Sequence, residues 1–240
     1  MIRKCGIWLG LFGLCYTLLM TPAFAKDVGF SPTSVYSQEY IEGFSVFMNP
    51  VVLLQKSDAA AVRQELTRQL IAINRVVPEA ALRDLRNTTI WVEWKQNDHS
   101  AAVFHLSAVW LNNNGFNPDK AGDIEISNTR NFVQWSQQDQ PWMLLHELTH
   151  AYHHHVLGDD NAEIASAFHQ AKANKLYDSV QHIGGSKKRA YAMTNAREYF
   201  AELSEAYFGF NDHYPFRRAD LRRHDPTGFQ LMEKIWGTLK

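Results

Sequence analysis

The amino-acid sequence predicts an α+β fold, in which a small twisted sheet packs on one helix and the C-terminal part is mostly helical. Two observations support this prediction. Short segments rich in β-branched and aromatic residues lie in the first half of the chain, whereas helical patterns dominate after Pro141. Strands that come first and helices that come later are typical of an α+β arrangement.

Four strands are expected in chain order. Residues 41–48 and 88–95 alternate in polarity or are rich in β-branched and aromatic side chains. Two shorter strands are expected at residues 101–106 and 122–127, because a turn-prone stretch separates them. An extended peptide pairs with a strand through backbone hydrogen bonds. Residues 122–127 are therefore our candidate for holding a substrate backbone.

Helices are expected where apolar residues recur at helical spacing or where capping residues occur. Pro suits a first helical turn, and Gly suits the residue that follows a helix. The expected helices are residues 58–76, the segment from Pro141 to Gly158, a helix opened by Asp159, Asp160 and Asn161, residues 196–208 closed by Gly209, and a last helix that packs Leu231, Ile235 and Trp236 into the core.

The first 25 residues have the pattern of a secretory signal peptide. Two basic residues precede an apolar run at residues 7–20, and Ala23 and Ala25 form a small-x-small cleavage motif. We expect cleavage after Ala25, which leaves residues 26–240 as a single domain that is secreted or periplasmic. The apolar run is short for a membrane span, so no membrane anchor is expected after cleavage.

The composition narrows the classes of function. Lys and Arg number 24 against 25 Asp and Glu, so the charge balance gives no reason to expect nucleic acid or an anionic membrane as partner. Cys5 and Cys15 both lie in the leader. Neither a disulfide nor a cysteine-ligated zinc site is therefore expected in the exported chain.

Residues 146–150 read HELTH, an HExxH motif within a predicted helix. On a helix, residues i and i+4 project about 40° apart, so His146 and His150 can reach one metal ion. Glu147 lies between them and can take a proton from a water bound to that ion. A metzincin is excluded, because His153 and Val156 stand where that motif requires glycine and histidine.

A catalytic zinc usually has three protein ligands and one open position for water, so a third ligand is needed. Two kinds of candidate have a structural alternative as well: Glu163 can be an ordinary acidic residue of a first helical turn, and Glu198 a capping-box residue within a solvated acidic stripe. The candidates are His153 on nearly the same helical face, Glu163 in the next helix, and Glu198, Glu202 and Glu205 on one face of the helix at residues 196–208.

The HELTH motif is followed after 47 residues by the segment EYFAE, with Tyr191 seven residues before its first glutamate. This combination resembles the catalytic domain of anthrax lethal factor and the Pro-Pro endopeptidases, which are zincin metallopeptidases of the gluzincin type. The resemblance covers about residues 140–210. It implies a zincin-like domain that binds Zn²⁺ through His146, His150 and Glu198.

The same resemblance implies the remaining roles. Glu147 matches the general base, Tyr191 the tyrosine that assists the oxyanion, and Glu202 the carboxylate that supports the site. Ligand histidines usually donate their other ring N–H to an acceptor, and Glu202, one helical turn after Glu198, is the acceptor that we expect. The expected reaction is zinc-dependent hydrolysis of peptide bonds in a peptide or protein substrate. Two alternatives stay open: a catalytically silent module that binds metal or a partner, and a zinc amidase acting on a non-peptide amide.

Overall fold

A computed structural model describes residues 29–237 of the chain. The expected signal peptide, residues 1–25, lies outside the described residues. None of the helices within the described range is both long and apolar enough to cross a membrane.

A five-stranded mixed sheet forms the centre of the fold. Its spatial order is β1-β2-β3-β5-β4, in which β2, β3 and β5 run parallel and the two outer strands are antiparallel to their neighbours. The strands are β1 (Ser37–Ile41), β2 (Phe44–Met48), β3 (Ile90–Val92), β4 (Val103–Phe104) and β5 (Ile124–Ile126). A separate two-stranded sheet consists of β6 (Val180–Gln181) and β7 (Lys187–Lys188).

The expectation of one strand at residues 41–48 was wrong in its extent. The chain reverses at Glu42 and Gly43, which both have positive φ angles of 50° and 90°. Two-residue hairpin loops need such angles, because only then does the twist of the turn match that of the strands. Ile41 therefore ends β1, and the buried strand β2 begins at Phe44.

The interior position of β5 overturns a second expectation. Residues 122–127 were the candidate for pairing with a substrate backbone, but β5 has β3 on one side and β4 on the other. Its backbone groups are already paired within the sheet. The outermost strand on this side is β4, which has only β5 as a neighbour among residues 29–237.

Ten helices account for most of the remaining residues between 29 and 237. They are α1 (Pro50–Leu54), α2 (Lys56–Val76), α3 (Glu79–Leu85), α4 (Ala108–Asn113), α5 (Thr129–Gln138), α6 (Met143–Tyr152), α7 (Ala162–Ala173), α8 (Ala196–Phe208), α9 (Arg218–His224) and α10 (Pro226–Trp236). The fold is α+β, but its order differs from the expected one. Four helices, α1 to α4, lie between the first and last strands of the main sheet rather than after all of its strands.

One face of the main sheet packs on helices to form the core. Residues that alternate along β2, β3 and β5 are fully buried on this face, because successive side chains of a strand point to opposite faces. The helix α2 covers the face with the apolar residues that its spacing predicted, and α6 packs beside it. These buried helical residues are Val62, Leu66, Leu70 and Ile73 of α2 and Leu144, Leu145 and Leu148 of α6.

The helix that carries HELTH continues beyond α6. Residues His153–Leu157 form a π-helical turn, and the chain leaves it at Gly158 with a φ of 81°. The predicted end at Gly158 is thus confirmed. The predicted helix at residues 196–208 is likewise confirmed as α8, which packs directly against α6. This contact brings the two halves of the candidate site together.

Candidate metal centre

The α6 helix places the two HELTH histidines side by side. The ring centroids of His146 and His150 lie 4.8 Å apart, and each side chain keeps about a tenth of its surface exposed. One helical turn separates them, so both rings project from the same face. The apolar residues on the opposite face of α6 are buried in the core, which fixes the direction in which the histidines project.

Glu198 joins the two histidines from α8. Its Oε2 atom lies 3.0 Å from Nε2 of His146 and 3.2 Å from Nε2 of His150. The side chain of Asn195 caps α8 by accepting hydrogen bonds from the backbone N–H groups of Arg197 and Glu198. Because Asn195 fills the capping role, the carboxylate of Glu198 is directed to the histidines instead of the helix end.

The donor atoms at this point suit a zinc ion. Two imidazole nitrogens and one carboxylate oxygen lie within 4.8 Å of one another, and they come from His146, His150 and Glu198. Catalytic zinc is commonly bound by this number and type of protein ligands, which leaves one position for water. The predicted ligand residues are therefore brought together, and they fit the metal that the sequence suggested.

His146 has a second polar contact on the other side of its ring. Its Nδ1 atom lies 2.7 Å from Oε1 of Glu205, whereas the nearest oxygen of Glu202 is 3.9 Å away. The prediction that Glu202 accepts this hydrogen bond was therefore wrong. Glu202 accepts one from Nδ2 of Asn211 at 3.2 Å. The acidic stripe at i, i+4 and i+7 contained Glu205, but Glu202 had been chosen because it lies one helical turn after Glu198.

Glu202 and Glu205 are buried, not solvated. Burial raises the pKa of the Glu202 carboxyl well above its usual range, and the charges of Glu205 and Asp212 raise it further. Burial also raises the pKa of Glu205, although the hydrogen bond with His146 opposes that change. The hydrogen bond to His146 thus favours a charged carboxylate at Glu205.

The pKa values of the metal-free ligands reflect the same contacts. Burial lowers the pKa of His146, but hydrogen bonds with Glu198 and Glu205 outweigh burial and raise it above its usual range. Burial raises the pKa of Glu198, but the hydrogen bonds of both histidines outweigh it and lower that pKa far below its usual range. Glu198 is therefore an anion at neutral pH, as a metal ligand must be.

Glu147 lies beside the ligands and contacts the edge of the sheet. Its Oε2 atom accepts a hydrogen bond of 2.7 Å from the backbone N–H of Phe104 in β4. A hydrogen bond from a backbone N–H stabilises an ionised carboxylate. The contact fixes the side chain of Glu147 in the cleft and leaves its second oxygen for another partner.

Tyr191 lies in a 3₁₀ turn, Tyr191–Met193, shortly before α8. Its ring centroid is 6.3 Å from that of His146, and half of its surface is exposed. Burial of the remainder and the charge of Glu198 raise the pKa of its phenol. The phenol therefore keeps its proton at neutral pH and can donate a hydrogen bond.

These residues line one cleft of about 500 Å³. Its walls come from the segment at residues 99–104, from α6 and α8, and from Asp212 and His213 shortly after the C-terminal end of α8. The cleft contains every residue for which a site role was predicted: His146, Glu147, His150, Tyr191, Glu198 and Glu202.

The rival residues lie elsewhere. His153 is buried against the ring of Phe200 and does not line the cleft. Glu163 forms an exposed ion pair with Lys234. Tyr152 is the tyrosine nearest to HELTH in the chain, but its ring is buried and lies 4.5 Å from the ring of Trp236, so it faces the core.

A second group of polar residues, His182, Asp212 and His213, was not foreseen. Oδ1 of Asp212 lies 2.6 Å from Nδ1 of His213, and Oδ2 lies 3.6 Å from Nε2 of His182. The backbone N–H of Gly184 donates to Nδ1 of His182. In a neutral ring this places the proton on Nε2, toward Asp212. The group therefore forms a polar network beside the cleft, and no local motif predicted it.

Comparisons of the chain with models of protein families, with curated proteins and with solved structures gave no match.

Proposed function

We propose that the chain is a zinc-dependent peptidase with a zincin-like fold. The observation that carries this proposal is the approach of Nε2 of His146 and Nε2 of His150 to one oxygen of Glu198, with Glu147 beside them in the same cleft. A metal-binding module would need the three ligands alone. A carboxylate held next to them without joining them is what proton transfer to and from a substrate requires.

In this proposal His146, His150 and Glu198 hold the zinc, and Glu205 orients His146. Zinc bound there supplies a Lewis acid that polarises the scissile carbonyl and lowers the pKa of a water. Glu147 accepts the proton of that water as it attacks, and later gives the proton to the leaving amine. Tyr191 donates a hydrogen bond to the carbonyl oxygen as negative charge develops on it.

The substrate backbone pairs with β4 in place of the predicted residues 122–127. This strand borders the cleft, and Phe104 in it already contacts Glu147. A peptide added to such an edge is held by main-chain hydrogen bonds. The leader at residues 1–25 supports export, so the substrates we propose are secreted or periplasmic peptides and proteins.

Metal analysis tests the ligand set. One zinc per chain is expected in the wild type, and Glu198→Ala should lose most of it, because only two neutral imidazoles remain. Glu163→Ala is the matched control, since Glu163 pairs with Lys234 away from the cleft. Full zinc in Glu198→Ala would contradict the assignment.

Incubation with a diverse peptide library, with and without a chelator, tests the activity. Chelator-sensitive cleavage of peptide bonds is the expected result. A zinc-loaded protein that cleaves no peptide would overturn the peptidase proposal. Hydrolysis limited to non-peptide amides would then indicate a zinc amidase. Binding of metal or peptide without turnover would indicate a catalytically silent binding module.

A further inference from the structure

A second cavity, of about 430 Å³, lies on the other side of β4 from the HELTH helix. We call it the Trp110 pocket. It shares Ser100, Val103 and Phe104 with the catalytic cleft, so the two cavities adjoin across the outer strand of the sheet. The residues that line it include Val103, His105, Leu106, Trp110, Phe116 and Glu125.

Alternation along the strands assigns the pocket to one face of the sheet. Val103 pairs with Glu125, and paired residues of neighbouring strands share a face. Phe104 pairs with Ile124, which is fully buried on the opposite face, in the core. The Trp110 pocket therefore lies above the sheet face that carries Val103 and Glu125, whereas the HELTH helix lies below.

The outer wall of the pocket is apolar and exposed. Leu106 and Trp110 are 38% and 53% exposed, and the ring of Trp110 stacks on that of Phe116 with centroids 5.6 Å apart. The helix α4 buries only Leu111. An exposed apolar patch beside a cleft is typical of a ligand-binding surface.

The floor of the pocket is polar but already satisfied. The carboxylate of Glu125 is fully buried and bonds to Nζ of Lys120 at 2.7 Å, to Nε2 of His105 at 3.2 Å and to Oγ of Ser127 at 2.8 Å. The Nζ group of Lys120 also bonds to Oε1 of the buried Glu93 at 2.6 Å, so this one cation lies between two buried carboxylates. Three groups already bond to the carboxylate of Glu125, so the apolar wall is the part of the pocket that is left to contact a ligand.

The outer edge of β4 connects the two cavities. Ala101 and His105 form backbone hydrogen bonds with the strand segment around β5. The backbone groups of the alternate residues, Ala102 and Phe104, point away from β5, toward the free edge of β4. At this edge the backbone N–H of Phe104 donates to Glu147. A peptide paired along this edge must point successive side chains to opposite faces of the sheet.

From this geometry we propose that the Trp110 pocket binds a large apolar or aromatic side chain of the substrate peptide, close to the bond that is cleaved. The inference rests on the peptidase function proposed above and deepens it. Side chains on one face of the bound peptide enter the cleft with Glu147. A side chain on the other face passes Val103 and packs against Trp110 and Leu106.

A binding measurement tests the pocket separately from turnover. The zinc-loaded Glu147→Gln protein is mixed with a peptide library in which each position in turn is Trp, Phe, Leu, Gly or Asp. We expect one position at which Trp, Phe and Leu bind about 10-fold to 100-fold more tightly than Gly or Asp, as burial of a large apolar side chain predicts. Trp110→Ala in the same background should reduce that preference to less than threefold, and Trp110→Phe should restore most of it.

Val109→Ala is the matched control, because Val109 belongs to the same helix and is exposed but does not line the pocket. Its preference should equal that of the parent. An apolar preference that survives Trp110→Ala with an unchanged melting temperature, or the lack of any such preference, would overturn the pocket proposal. A Trp110-dependent preference in a wild-type protein that cleaves nothing would instead contradict only the peptidase function.

Discussion

His146 is held from both sides of its ring, by Glu198 at Nε2 and by Glu205 at Nδ1. If a metal replaces the contact of Nε2 with Glu198, the hydrogen bond to Glu205 would keep the remaining proton on Nδ1 and leave the lone pair of Nε2 for the metal. Glu205→Gln should therefore weaken zinc binding by about 10-fold to 100-fold. Glu202→Gln is the control, since Glu202 is 3.9 Å from the same nitrogen. Competition with a chromogenic chelator measures both, and a larger loss in Glu202→Gln would return the role to Glu202.

Tyr191 lies where it can donate a hydrogen bond from its phenol to a substrate in the cleft. Its ring borders the cleft, and its raised pKa keeps the O–H intact. We expect Tyr191→Phe to keep its zinc and its KM and to lower kcat by roughly 10² to 10³-fold, because the lost hydrogen bond forms only as the oxyanion develops. Tyr152→Phe should have a wild-type kcat, because Tyr152 faces the core. A kcat for Tyr191→Phe within twofold of the wild type would remove Tyr191 from the mechanism.

His153 gives a pH-dependent prediction. Both ring nitrogens are buried without a hydrogen-bond partner among the described residues, and burial lowers the pKa from 6.5 to about 4. The unfolded chain therefore binds a proton between these pH values that the folded chain does not. The contribution of neutral His153 to the free energy of unfolding is therefore fully present above pH 6.5. It decreases as the pH falls below 6.5 and is lost as the pH passes through about 4.

Replacement of His153 by leucine should remove this loss. His153→Leu should raise the free energy of unfolding by about 1 kcal/mol at pH 7.5, because unpartnered buried nitrogens are costly, and by more at pH 5. Denaturant unfolding of the chelated protein measures both values. His154→Leu is the control, since His154 pairs with Asp159 near the surface. Equal pH dependence in His153→Leu and wild type would contradict the account.

At the scale of elements, two helices begin in the same way and differ in what they carry. Asn195 caps α8 and Asn161 caps α7, and each side chain accepts two backbone N–H groups. Either change to alanine should cost about 1 kcal/mol of stability. Only the cap of α8 positions Glu198 three residues later.

We therefore expect Asn195→Ala to weaken zinc binding severalfold, while Asn161→Ala leaves it unchanged. Thermal unfolding of the metal-free variants and zinc competition would be measured on the same samples. Equal zinc affinity in the two variants, with equal losses of stability, would show that the cap of α8 does not position Glu198.

The elements differed in how well the sequence predicted them. The helices α2 and α8 were predicted closely, because long apolar periodicity at 3.6 residues is a strong local signal. The strand β1 was missed and the hairpin at Glu42 and Gly43 was merged into one strand, since a short turn with one glycine is a weak signal. The two-residue strand β4 fell inside the predicted residues 101–106, but its outer position depends on pairing with β5, which no local pattern encodes.

At the scale of the whole molecule, the site forms where two distant segments meet. The spacing of HELTH placed His146 and His150 on one face, and the resemblance added Glu198 and Tyr191. Which carboxylate would reach Nδ1 of His146 depended on the packing of α8 on α6, and there Glu205 took the place of Glu202. The contact of Phe104 with Glu147 likewise joins the sheet edge to the helix, and only the three-dimensional fold reveals it.

The turnover of a zinc-loaded Glu147→Gln protein tests the central claim most directly. Glutamine keeps the shape of the side chain but cannot accept the proton of the attacking water. The account predicts one zinc per chain, as in the wild type, and a loss of nearly all hydrolysis of a peptide that the wild type cleaves. Wild-type turnover by the zinc-loaded variant would contradict the role of Glu147 and with it the proposed mechanism.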